Sequence, residues 1–395
     1  MTTSDKQGNL FLKLIPVMLS FFAMSFVDLV GTGTNFIQKD FQLTDTQAGF
    51  LPLMIFLWFL IFSIPTGLLM NRIGRRKTVI ISLVVTLLAL LLPVLTIPMP
   101  HNTLSFGIML ASFCLLGIGN AIMQVSLNPL LSNIVHGDKL ASALTFGQFV
   151  KAIGSFVAPL IAGWAAVQFG NWKLLYPVFM GISLLAVLSL GMTKIREDDE
   201  KGKPSTFREC IALLGNGFVL LAFLGIVCHV GIDVGMNLTA PKILMERTGL
   251  DIEAAAYATS IYFLFRTIGS FAGAFLLVRF AARPIFLVSV LLMVASLAGL
   301  FLFSEPAPIH VCIALFGLGN ASIFSVVFSQ ALLHMPDKKN EVSGLMIMGL
   351  FGGAVFSLPI GAVSDAMSSQ TGALAVMMVG VLYLLFFATK IRKSL

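Results

Sequence analysis

At 395 residues the chain is long enough for two or three soluble domains, but 57% of it is apolar, only 11% is charged and its mean hydropathy is +0.97, which exclude a water-soluble globular protein. The formal charge of +7 does not form the clustered patch that nucleic acid requires, so no nucleic-acid partner is expected. The four cysteines lack the spacing of a metal site, and neither a metal nor a cofactor is expected.

The hydrophobic pattern divides into twelve runs, each near or above the roughly 20 residues that a helix needs to cross hydrocarbon. Only helices or closed barrels satisfy their own backbone in lipid, so the pattern predicts an all-α, twelve-span membrane protein. Helix 1 is expected from about Lys13 to Phe36, with Asp28 in its second half. It lacks a small-residue cleavage site and leads straight into another span, which marks a retained helix rather than a signal peptide. Helix 2 follows from about Ala48 to Met70, then a basic turn with Arg72, Arg75, Arg76 and Lys77. Helix 3 is closed by Pro98 and Pro100, and helix 4, about Leu104 to Val135, is expected to be interrupted at Gly117, Gly119 and Asn128-Pro129. Helices 5 and 6 complete a first unit, 1–192. The polar stretch 193–216 reads as a solvated, partly helical linker. Residues 217–395 repeat the plan with helices 7 to 12.

Outer loops on this plan hold Lys39, Lys173, Lys242 and Arg247, and Lys151 and Arg266 fall within helices. All the other Lys and Arg residues lie on the side of the N-terminus, which places both termini in the cytoplasm by the positive-inside rule. The expected location is a plasma membrane, a bacterial inner membrane, and a monomer is expected there.

The two units are related by an internal repeat. Leu115, Gly117, Gly119, Asn120, Ala121, Lys139, Phe156 and Pro159 recur two hundred positions later as Leu315, Gly317, Gly319, Asn320, Ala321, Lys339, Phe356 and Pro359. Arg72 and Arg76 return as Arg279 and Arg283, and with short gaps Asp28 and Asp45 find counterparts in Asp233 and Asp251. Parallel repeats of this kind frame a site near the membrane midplane.

The segment Gly67-Leu-Leu-Met-Asn71-Arg72-Ile-Gly74-Arg75-Arg76-Lys77 resembles the signature loop of the major facilitator superfamily, G-x-x-x-D-R-x-G-R-R, with Asn71 in the place of the usual acid. The resemblance implies a loop that latches the two halves in the outward-open state, with Arg72 and Arg76 as gating or ion-pairing groups. A narrower likeness lies in Gly117 to Pro129, with Gln124 and Asn128, and in Gly147-Gln148-Phe-Val-Lys151-Ala-Ile-Gly154. These are similar to helices 4 and 5 of the fucose, glucose and galactose proton symporters, in which Gln or Glu precedes the Asn-Pro pair by four. A helix 1 aspartate accompanies that residue in the fucose permeases, here Asp28.

Asp28, Lys151, Asp233 and Arg266 are the charged residues inside predicted helices, each costing about 2.5 to 3.5 kcal/mol at the bilayer centre if unpaired. Their charges sum to zero, which favours pairing in one polar chamber. Helical spacing adds neutral groups to the same faces: Asn120, Gln124 and Asn128 on helix 4, Gln148, Lys151 and Ser155 on helix 5, His229, Asp233 and Asn237 on helix 7, Tyr262, Arg266 and Ser270 on helix 8, and Thr32 and Asn35 beside Asp28. Many neutral donors and few charges suit a polyhydroxylated solute.

Asp28 is open to two readings, proton coupling or a fixed ion pair with Lys151 or Arg266; the family likeness favours coupling. Asp233 and Arg266 read as structural pairing or gating. Gln124 reads as a substrate contact, Asn128 equally as substrate contact or helix bond, and Lys151 as sugar contact or counter-charge. Asn35, Gln148, Asn237 and Tyr262 complete the candidate substrate set, and His229 reads as a packing residue. The expected function is proton-driven import of a monosaccharide or related polyol across the lipid bilayer. An exporter of drugs or small metabolites is the alternative. An embedded enzyme has neither nucleophile, metal spacing nor phosphate loop to support it.

Overall fold

A computed structural model describes residues 3–132, 134, 139–195, 206–335 and 338–391, and all its regular secondary structure is helical. Among these residues twelve helices have the length and composition to cross a membrane. They are α1 (Lys13–Phe41), α2 (Asp45–Ser63), α3 (Arg75–Leu95), α4 (Thr103–Leu131), α5 (Phe146–Phe169), α6 (Trp172–Met192), α7 (Gly217–Thr248), α8 (Ile252–Leu277), α9 (Ala282–Leu302), α10 (Pro306–His334), α11 (Gly344–Met367) and α12 (Thr371–Ala388). Of the expected linker, 196–205 lies outside the described residues. Phe207–Ala212 beyond it is a short helix, started by a capping box in which Thr206 and Glu209 satisfy each other's backbone N–H.

Within each half the repeated glycines explain the packing. A Cβ on Gly117 would lie 2.2 Å from the Ile55 carbonyl oxygen, and one on Gly317 would lie 2.5 Å from that of Tyr262. Two residues on, a Cβ on Gly119 would meet Thr86 Oγ1 at 2.7 Å and one on Gly319 would meet the Ser289 carbonyl at 2.5 Å. So α4 is pressed between α2 and α3, and α10 between α8 and α9, at distances only glycine permits. The asparagine that follows serves the same end in both halves: Asn120 donates to the Met24 carbonyl on α1 at 2.8 Å, and Asn320 to the Asp233 carboxylate on α7 at 3.0 Å.

Three helices depart from expectation. Helix α4 is not interrupted: it stays helical from Thr103 to Ser132 through Pro129, because its glycines serve close approach rather than breakage. Helix α1, expected to be continuous, tightens into a 3-10 turn over Ser25–Leu29, at the position of Asp28. Ser25 Oγ donates to the Phe22 carbonyl at 2.6 Å there, a local bond that competes with regular helix. A similar irregularity divides α10, whose helix stops at Asn320 and resumes at Ile323.

The two halves meet closely at the end of the bundle away from the chain termini. Lys242 Nζ on α7 lies 2.7 Å from Asp45 Oδ1 on α2, and Gln370 Nε2 donates to Asp45 Oδ2 at 2.6 Å. The Asp365 carboxylate on α11 accepts from the backbone N–H groups of Asp45 and Thr46 at 2.9 and 2.8 Å and from the Thr46 hydroxyl at 2.5 Å. Lys39 and Glu253 pair at 2.9 Å nearer the rim.

Candidate functional site

Between the halves, on the terminal side of this seal, lies a cavity of about 670 Å3 including its open mouth. Asp28 from α1 and Gln148, Phe149, Lys151, Ala152 and Ser155 from α5 form one wall; Phe263, Arg266, Thr267, Ser270 and Phe271 from α8 form the other. The stripe at 148, 151 and 155 is one face of α5, and 263, 266, 267, 270 and 271 are one face of α8, as helical periodicity requires. Farther along, the same helices touch: Ser260 Oγ donates to the Phe156 carbonyl at 3.2 Å.

Asp28 is gripped from α5. Its Oδ2 accepts the Ser155 hydroxyl at 2.5 Å and stands 3.7 Å from Lys151 Nζ. Across the cavity Arg266 Nη1 lies 2.9 Å from Asp233 Oδ2. The four charges that the sequence places inside helices are therefore paired, one pair per half, and three of them line the cavity. Asp233 sits behind the wall, where Oδ1 also accepts from the Tyr262 hydroxyl and from Asn320.

The other candidates divide between cavity and packing. Gln148 lines the cavity. Tyr262 is fully buried and spends its hydroxyl on Asp233 and Asn320. Asn35 and Asn237 belong to the seal: Asn35 Nδ2 donates to the Leu238 carbonyl and Asn237 Nδ2 to the Asp28 carbonyl, both at 3.1 Å and both between the halves. Gln124 and Asn128 do not line the cavity; Gln124 is half-buried with Nε2 3.4 Å from Asn120 Oδ1, and Asn128 keeps a buried Oδ1 without a partner. His229 is buried and bonded to Asn320. In the basic turn, Arg72 is exposed, while Arg76 donates to the Leu190 and Gly191 carbonyls at 3.1 and 2.5 Å, closing the end of α6 in its own half. The Asn71 side chain lies outside what is described.

Two groups of functional candidates escaped the sequence reading. Thr267 lines the cavity beside Arg266, and Asp45, Lys242 and Asp365 build the seal, although the sequence places Asp45 and Lys242 as outer-loop charges and leaves Asp365 at the end of helix 11 without a role. The recurrence of Asp45 as Asp251 is a signal, but only contact across the halves gives it meaning. No group of three or more metal-ligating side chains occurs among the described residues.

Two pseudo-symmetric bundles of membrane-length helices, enclosing a charged and hydroxyl-lined cavity at their interface, define a helical membrane transporter. The chain belongs to the Major Facilitator Superfamily, whose family model matches residues 17–357. It is similar to a glucose/galactose transporter of Brucella abortus, with 26% identity over 92% of this chain and 90% of that one. A putative glucose/galactose transporter of Helicobacter pylori shares 23% identity over 94% of each chain. Among solved structures, the transporter FucP in the outward conformation superposes with a TM-score of 0.67 at 19% identity, covering 98% of this chain and 100% of that one. A D-xylose-proton symporter gives 0.78 at 13% identity, over 97% and 98%.

Proposed function

We propose that this chain imports a monosaccharide or related polyol together with protons, by alternately opening the cavity to either side of the membrane. The observation that carries the reading is the cavity wall. A carboxylate held by a hydroxyl and a loosely placed ammonium sits in a chamber that sets the amide, hydroxyl and guanidinium groups of Gln148, Thr267, Ser270 and Arg266 among the rings of Phe149, Phe263 and Phe271. Such a wall offers hydrogen bonds to the hydroxyls of a neutral, polyhydroxylated solute and aromatic faces to its C–H surface, the mix of apolar lining and a few placed polar groups usual for small-molecule sites. The names of the relatives point to the same solute class. With the termini in the cytoplasm, as the positive charges argue, this conformation faces inward. Asp28 is the proton carrier in this reading, Gln148 and Lys151 contact solute, and Gln124 and Asn128 support α4 from beside the cavity.

The test is uptake of a labelled monosaccharide panel into proteoliposomes, with and without an inward proton gradient, by wild type and Asp28→Asn. The variant should retain sugar exchange and lose gradient-driven accumulation. Equal accumulation by both proteins removes Asp28 from the mechanism, and a panel in which no sugar enters overturns the solute class.

A further inference from the structure

The wall of the C-terminal half is backed by a hydrogen-bond relay that is more elaborate than an ion pair requires. Asp233 Oδ2 takes Arg266 Nη1 at 2.9 Å, while Oδ1 accepts from the Tyr262 hydroxyl and from Asn320 Nδ2 at 3.0 Å. The same Asn320 nitrogen lies 2.8 Å from the Tyr262 oxygen, and Asn320 Oδ1 lies 2.8 Å from His229 Nδ1. The carboxylate fixes the direction of the relay. A carboxylate only accepts, so Asn320 must turn its NH2 toward Asp233 and its oxygen toward His229; His229 must then carry its proton on Nδ1. Three helices, α7, α8 and α10, thus converge to saturate one carboxylate, and His229, Tyr262 and Asn320 are all buried.

Arg266 alone among these five lines the cavity. A guanidinium has five N–H donors in a fixed plane, and Asp233 engages only Nη1. Its Cζ also lies 5.9 Å from the centroid of the Phe263 ring, which takes no hydrogen bond in the guanidinium plane. The remaining donors are therefore available beside the cavity, opposite Asp28, Gln148 and Lys151. A planar fork held by a saturated carboxylate is suited to two neighbouring hydroxyl oxygens of a ring solute, and a flexible ammonium is not.

We propose that Arg266 is the solute-binding donor of the C-terminal half, and that Asp233, Tyr262, Asn320 and His229 are positioning residues that hold its fork toward the solute. This rests on the reading of the solute as polyhydroxylated. It assigns Arg266 a role beyond the pairing or gating expected from sequence, and it makes the asparagine repeated in both halves part of the binding machinery in one of them.

The experiment measures sugar exchange kinetics in proteoliposomes for Arg266→Gln, Arg266→Lys, Asn320→Ala and the double variants Asn320→Ala/Arg266→Gln and Asp233→Asn/Arg266→Gln. Arg266→Gln should raise KM about tenfold, the loss of one charge-assisted hydrogen bond, with the maximal exchange rate held within about twofold. Arg266→Lys should recover part of the loss. Asn320→Ala should raise KM in the wild-type background and add nothing when Arg266 is already Gln, because a positioning residue has nothing left to position. The charge-neutral Asp233→Asn/Arg266→Gln variant should match Arg266→Gln alone, and it keeps the test open if single charge removals fold poorly. Sugar exchange by wild type with an unchanged KM in Arg266→Gln overturns this assignment and leaves the sugar reading standing. Equal KM increases from Asn320→Ala in both backgrounds overturn the positioning role. No exchange of any sugar by wild type overturns both.

Discussion

Ser155 reaches Asp28 before Lys151 does: the serine hydroxyl donates to Oδ2 at 2.5 Å, and the ammonium stands 3.7 Å from the same oxygen. The carboxylate is thus organised by a neutral donor on α5, and the lysine lies beyond direct hydrogen-bond range.

It follows that Ser155→Ala should impair gradient-driven accumulation more than Lys151→Gln does. The lost bond to a charged acceptor is one of about 1.5–3 kcal/mol, against a looser ion pair. Because Lys151 also contacts solute in the proposed reading, gradient-driven accumulation is compared with sugar exchange by the same protein, and a silent Ser155→Ala beside a Lys151→Gln that keeps exchange but loses accumulation would reverse the assignment of partners.

Gly31 faces the other half across the seal. A Cβ there would lie 2.1 Å from Asn237 Oδ1 and 2.7 Å from the Asn237 carbonyl oxygen. The second contact is with backbone and cannot be relieved by a rotamer change. Gly31→Ala should therefore prevent full closure of this end, shifting the population toward the opposite-facing state by about fivefold to a hundredfold, as overpacking of about 1–3 kcal/mol implies. Spin-label distances between the loops of the two halves should lengthen at this end; an unchanged distribution would show that the seam accommodates the methyl group.

The glycines inside each half predict a different outcome. Gly117→Ala and Gly317→Ala push α4 and α10 against neighbouring carbonyls without crossing between halves. Each should lower stability by about 1–3 kcal/mol and leave the balance of the two facing states alone. Gly67→Ala is the control, since nothing lies within 4 Å of its would-be Cβ. Thermal unfolding in detergent should rank the control with wild type and the other two below it.

The Lys242–Asp45 pair has both side chains 14% exposed. Removing the cation alone, as Lys242→Met, leaves a carboxylate with only Gln38 and Gln370 as donors. The closed end should lose up to about 3–5 kcal/mol of stabilisation, less whatever water recovers. Labelling of a cysteine placed under the seal should accelerate, and the double variant Asp45→Asn/Lys242→Met should bring it back toward wild type. A double variant as accessible as the single one would mean that charge plays no part in holding this end shut.

Much of this arrangement was legible in the sequence because lipid permits few solutions. Twelve spans, the repeat and the four intramembrane charges all follow from what hydrocarbon forbids. Periodicity also placed Gln148, Lys151, Ser155, Arg266 and Ser270 on the faces that line the cavity. It did not separate cavity from seam, because both are polar strips turned inward. Asn35 and Asn237 lie on the same stripes as Asp28 and Asp233, yet they bond backbone carbonyls across the seal. Tyr262 shares a stripe with Arg266 but points into the relay behind it. Gln124 and Asn128 share a stripe of α4 with Asn120, yet neither lines the cavity, and Gln124 lies against Asn120 instead. Which inward strip remains open is decided by how far neighbouring helices separate, and no local spacing encodes that.

The way α2 begins has a consequence of its own. Its first turn, Asp45–Ala48, has the Thr44 side chain for the Gln47 N–H, but the N–H groups of Asp45 and Thr46 are satisfied by Asp365 from the other half. The start of one half's helix is thus completed only when the other half is docked, and parting leaves those two donors to water. Deuterium should enter the amides of Asp45 and Thr46 slowly while this end is shut and quickly once it opens. Exchange at these two backbone positions would thus report whether this end is shut, without attaching any label.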